Sequence, residues 1–196
     1  MRTSRYLIVV AALLAGRAAI AQETVGVSGS DVKYPTARQI KVGDKPVKLK
    51  LTGAGMRKKV IFNVYTVACY IQDDFTGKSA EDLASCDTFK QLHLVLQRSV
   101  SGEDMAKAFR EAIRANHGDD FADELDKLTA LIKAYDVEKG DQVWISYYPG
   151  YGLNVNLVGK RAEFIKGTKF GKAVWDIYLG PKNVGENVKK ALVSRL

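Results

Sequence analysis

Apolar and polar residues begin to alternate at position 47. Val47, Leu49 and Leu51 face one way and Lys48 and Lys50 the other, the two-residue period of a half-buried strand. Asp44-Lys45-Pro46 just before it is a turn signal. Residues 59–72 make the strongest strand of the chain. Ile61, Tyr65, Val67, Cys69 and Ile71 share one face, and Phe62, Val64, Ala68 and Tyr70 the other. A strand apolar on both faces is expected mid-sheet, with cover on each side. Leu92, Leu94 and Leu96 alternate in a further strand. Residues 22–46, rich in Gly, Ser and Lys, read as a frayed N-terminal extension with one edge strand near 39–42.

The period changes at Ser101, which with Asp104 forms a variant capping box. Met105, Phe109, Ala112 and Ile113 then recur at helical spacing, and residues 116–118 end that helix. Asp119 and Asp120 open a second helix, with Phe121, Leu125, Leu128, Ile132 and Tyr135 along one side. Three short strands follow at 143–148, 154–157 and 161–165, joined by tight turns as a meander. Phe170, Val174, Ile177 and Tyr178 mark another helix, stopped by Gly180-Pro181. Asn183 with Glu186 caps a last one through Val188, Leu192 and Leu196. This order predicts an α+β fold: a large antiparallel sheet with a layer of helices on one face.

Composition adds a destination. The chain has 196 residues, of which 46% are hydrophobic and 27% charged, an ordinary globular balance. Its start has a basic head at residues 1–5, an apolar run at 6–14, and Ala19-Ile20-Ala21 before Gln22. These are the parts of a cleavable signal peptide. The run is shorter than the roughly 20 residues of a membrane span, and no Cys follows the cleavage point to carry a lipid. The expected organisation is a signal peptide at 1–21, an extension at 22–46 and one domain at 47–196. The mature protein is expected in the periplasm, with no transmembrane segment. Cleavage removes Arg2, Arg5 and Arg17 and no acid, which lowers the net charge from +8 to +5. The remaining cations are scattered among acids, so nucleic acid is not an expected partner. Cys69 and Cys86 could bridge in an oxidising compartment, but two cysteines carry no framework signal. Cys69, inside an apolar strand, also reads as a small hydrophobe.

Candidate chemistry is sparse. His93 and His117 stand alone, with no partner at metal-ligand spacing. No Gly-rich loop opens a helix as a phosphate cradle; Gly53-Ala54-Gly55-Met56-Arg57 leads into a strand, and its glycines suggest a turn. Neither metal nor cofactor is expected.

Three segments nonetheless look familiar together. Gly53-Ala54-Gly55-Met56-Arg57, followed by Val64-Tyr65-Thr66-Val67-Ala68-Cys69-Tyr70-Ile71, resembles a motif and strand of the chalcone isomerase family. Tyr148-Pro149-Gly150-Tyr151-Gly152 with Gly159-Lys160 resembles the meander of that family's bacterial secreted branch. The run from Phe170 through Trp175 and Tyr178 to Gly180, ending in Asn183-Val184, resembles its C-terminal helix. The resemblance spans residues 49–192 and implies an open-faced β-sandwich, with helices laid over a large curved sheet.

The family holds ring-closing isomerases, plastid relatives that bind fatty acids, and bacterial proteins. The isomerases add a phenolate oxygen across an unsaturated ketone, which needs a cation and hydrogen-bond donors where charge develops. The family's cationic Arg carries over onto Arg57. Its Thr falls on Tyr65, its catalytic Tyr on Met105 and its Asn on Ala112. A thioether and a methyl group cannot donate, and each lost donor costs about 2.7–4 kcal/mol of transition-state stabilisation. The resemblance therefore implies a non-catalytic binder of a small apolar ligand with an anionic head, such as a fatty acid. Arg57 and Tyr65 would meet the head, and Met105 and Phe109 the apolar body. The alternative is an intramolecular lyase or isomerase acting on an enone or enolate-forming substrate, with Arg57 its one candidate catalytic residue. Read without the resemblance, Arg57 is a surface cation beside Lys58 and Lys59. A third class, an assembly partner in the cell envelope, is compatible with the lysine-rich strands.

Overall fold

The alternation that begins at Val47 belongs to a strand running far past it. The computed structural model describes residues 22–196, so the expected signal segment lies outside the described residues. In chain order the first strands are β1 (Thr24–Gly26), β2 (Lys33–Pro35), β3 (Ala37–Val42), β4 (Lys45–Lys59) and β5 (Phe62–Gln72). Helix α1 (Ala80–Ser85), strand β6 (Lys90–Leu96) and helices α2 (Gly102–His117) and α3 (Ala122–Lys133) follow. Strands β7 (Gln142–Tyr148), β8 (Gly152–Leu157) and β9 (Arg161–Lys166) lead to helices α4 (Thr168–Leu179) and α5 (Glu186–Leu192). Strands β3 to β9 form one antiparallel sheet in sequence order. The helices pack against one face of it, so the α+β open-faced architecture is the one observed.

β5 lies mid-sheet, as its two apolar faces require. Val67, Cys69 and Ile71 are fully buried on the helix side, with Leu92, Leu94, Ile145, Trp175 and Tyr178. Ala68 and Tyr70 are fully buried on the other side. Ile61 and Phe62 depart from the expected pattern: they sit at the β4–β5 tip, 78% and 57% exposed.

Three expectations are corrected. The Gly53–Arg57 tract is not a turn but part of β4, with a bulge between Leu51 and Gly53. Its glycines admit α5. A Cβ on Gly53 would lie 2.0 Å from the Ala191 carbonyl oxygen, and one on Gly55 would lie 2.7 Å from the Ala191 Cβ. Gly53 also has φ +155°, a backbone that other residues rarely adopt. Second, the N-terminal extension is not frayed. β1 and β2 pair as a small hairpin over the second face of the sheet, where the buried Tyr34 hydroxyl lies 2.7 Å from Thr66 Oγ1. Third, α1 was not expected. Ser79 and Asp82 cap its start reciprocally, and Lys90 anchors its end. The fully buried Lys90 ammonium donates to the carbonyls of Leu83 (2.7 Å), Ala84 (2.6 Å) and Cys86 (3.2 Å), the orphan acceptors of a helix terminus.

Cys69 and Cys86 are both free thiols. No helix among the described residues is long and apolar enough to cross a membrane.

Candidate functional site

The site is built where β4 outruns its neighbour. β3 pairs with β4 only as far as Ala37 opposite Lys50. Beyond that point the outer edge of β4 borders an open groove of about 510 Å³. Residues 54–58 of β4 form its floor, residues 26–28 at the end of β1 one wall, and residues 184–188 with Ala191 the other. α5 is pinned beside it: Thr52 Oγ1 donates to the Leu192 carbonyl at 2.7 Å, and the Arg195 amide donates to the Thr52 carbonyl at 2.9 Å.

Arg57 lines this groove, half-buried. It stands directly opposite Tyr65 in the β4–β5 ladder. Residues paired in this way share a face, here the helix side, with Cβ atoms about 5 Å apart. The Tyr65 hydroxyl in turn donates to the hydroxyl of Tyr178 on α4 at 3.4 Å. Burial pushes the Tyr65 phenol above its usual pKa, while the Tyr178 hydrogen bond and the Arg57 charge pull it partly back. Burial also lifts the Tyr178 phenol well above its usual value; the neighbouring Tyr65 adds to this and Arg57 opposes it. One guanidinium thus acts on two enclosed phenols. Arg57 donates to the Lys58 carbonyl and, among the described residues, forms no ion pair. Its remaining donors could receive a carboxylate in the groove, whereas Tyr65 and the fully buried Tyr178 lie behind it and are not among the groove's lining residues.

The other expected residues fall elsewhere. Met105 and Phe109 occupy the buried stripe of α2, both 7% exposed, in the core cluster against which Tyr65 packs. They are not among the groove's lining residues. Ala112 is partly buried against the same core. Tyr178 was legible only as an apolar helix position; its role comes from a contact 113 residues away in sequence.

The opposite face of the sheet carries a separate polar cluster. His93 stacks on Trp144 with ring centroids 3.6 Å apart, and the Arg38 guanidinium lies 4.0 Å from the Trp144 ring centroid. His93 Nε2 is 2.9 Å from Gln142 Oε1. On the helix side, His117 Nε2 of α2 is 2.8 Å from Asp176 Oδ2 of α4. Among the described residues, no three metal-ligating side chains gather.

Comparison with known proteins agrees with this architecture. A family model described as chalcone isomerase-like matches residues 27–194. The crystal structure of a fatty-acid binding protein of Arabidopsis thaliana superposes with a TM-score of 0.66 at 19% identity. The match covers 87% of this chain and 96% of that one, and it establishes a shared fold. No curated protein matches the sequence. With the family model spanning most of its length, the chain belongs to the chalcone isomerase-like family.

Proposed function

We propose that this is an exported, non-catalytic binding protein for a small apolar ligand with an anionic head, a fatty acid being the best fit. The observation that carries the reading is the placement of Arg57. It stands across the ladder from Tyr65, within the field of Tyr178, at the floor of an open groove. The carboxylate would take the remaining donors of the guanidinium, with Tyr65 and Tyr178 packed behind Arg57. The acyl body would lie against Val184, Val188 and Ala191, with the groove volume in the usual range for small-molecule sites. Met105 and Phe109 would support the Tyr65 ring from the core. The fatty-acid binding relative of the same fold supports the ligand class. At the positions that resemblance assigns to the family's catalytic Tyr and Asn, Met105 and Ala112 offer packing groups and no donor. The proposed compartment is the periplasm, reached by cleavage after Ala21.

Native mass spectrometry of the purified chain should find a retained fatty acid. Arg57→Ala should weaken binding in titration by about tenfold or more, the value of hydrogen bonds to a charged group. A protein that is empty as purified, and that takes up no fatty acid in titration, would defeat the reading. A chalcone absorbance assay should show no turnover, and turnover lost in Arg57→Ala would reinstate the isomerase class. N-terminal sequencing of the exported protein should begin at Gln22.

A further inference from the structure

The tip of the β4–β5 hairpin ignores ordinary turn chemistry. Lys59 pairs with Phe62, so Val60 and Ile61 alone make the loop. Two-residue loops favour Asn, Asp or Gly, because the backbone turns left-handed there. Val60 does so with φ +58°, a strained conformation for a β-branched residue. The tip stands in solvent: Val60 is 89% exposed, Ile61 78% and Phe62 57%. Three consecutive large apolar side chains at an apex are not explained by folding within the molecule.

The surroundings of the tip are cationic. Lys58 and Lys59 flank it, and the Arg98 guanidinium lies 5.7 Å from the Phe62 ring centroid. No Asp or Glu occurs anywhere from residue 45 to residue 72. The hairpin also projects. β3 leaves β4 at Lys50, and the last β6 partner on β5 is Tyr65, so the tip stands about 10 Å beyond the paired sheet. An apolar apex on a cationic collar does not complement a second copy of itself, since the collars would repel. It does complement a bilayer bearing anionic headgroups: the apex reaches the boundary of the acyl chains, and the collar meets the phosphates.

We propose that this hairpin tip docks the protein on an anionic lipid bilayer. Lys58 belongs both to the collar and to the groove, beside Arg57, so docking brings the groove mouth to the surface where acyl chains reside. That transfer role rests on the fatty-acid reading; the docking itself does not.

The test uses the chain purified after expression with its own leader and processing, mixed with two kinds of vesicle. One is pure phosphatidylcholine and the other contains phosphatidylglycerol. Sedimentation should show binding to the anionic vesicles, reduced by added salt. Ile61→Asp should lower that binding about tenfold or more, through loss of one inserted apolar side chain. Lys58→Glu with Lys59→Glu should remove the preference for anionic lipid. Ile61→Asp should leave the circular dichroism spectrum and the urea unfolding midpoint unchanged, which shows the variant folded. Absence of vesicle binding, or binding indifferent to Ile61→Asp, overturns the proposal. A concentration-dependent dimer abolished by Ile61→Asp, without vesicle binding, overturns it in favour of self-association. Vesicle binding without fatty-acid uptake sinks the ligand reading and leaves the docking standing.

Discussion

His93 sits between Trp144, on which it stacks, and Tyr34, whose ring meets it edge-on at 5.3 Å. Burial lowers its pKa to about 4; the Gln142 hydrogen bond opposes the shift and Arg38 adds to it. In the unfolded chain the ring titrates near 6.5. Between those values the unfolded state binds the extra proton. The stability linked to His93 is therefore complete above pH 6.5 and is lost as pH falls through 4. The loss should amount to about 1–3 kcal/mol, reduced by the residue's partial exposure. Urea unfolding at pH 7.5 and at pH 4.5 measures it, and His93→Phe should flatten the difference. Arg57 and Tyr65 became candidates through the resemblance alone; their local sequence reads as a surface cation and strand filler, and their pairing across the β4–β5 ladder is what the structure adds. Tyr178 was no candidate, because a phenol on a helix stripe looks the same whether or not another hydroxyl waits across the core.

The elements that were read correctly are those whose cause is local. Periodicity located α2, α3 and α4, and alternation located β5 through β9, because each buries a stripe its own residues define. β4 was cut short because the reason for Gly53 and Gly55 lies in α5, about 135 residues later. α1 was missed since six residues are too few to show a period, although Ser79 and Asp82 carried its capping signal. The helix–strand contact makes a testable claim. Gly53→Ala places a methyl against the Ala191 carbonyl and forces a strained φ. It should cost about 2–3 kcal/mol in urea unfolding. Hydrogen exchange should speed up first in α5, and fatty-acid binding should weaken with it. Unchanged exchange in α5 would mean that the helix tolerates the shift.

At the scale of the whole molecule, the tight turns foretold the β7–β8–β9 meander, and the helical layer followed from amphipathic stripes; the sequence order of the full sheet is the structure's addition. The hairpin β1–β2 did not announce itself, because three-residue strands carry too little pattern and depend on Tyr34 reaching Thr66. A bound ligand should stabilise the assembly as one unit. At about 100 times its dissociation constant it adds about 2.7 kcal/mol, which for a chain of this size raises the melting temperature by about 5–10 °C. Thermal scans with and without fatty acid read this shift, and Arg57→Ala should abolish most of it.

The two walls of the groove come from opposite ends of the chain: residues 26–28 on one side, and the segment from Val184 through Ala191 on the other. Arg195 even reaches back to within 3.8 Å of Glu23. Closing the groove therefore needs two segments far apart in sequence to be in place together, while the sheet between them is built from neighbours. A change that loosens α5 would take away one wall and leave the sheet standing.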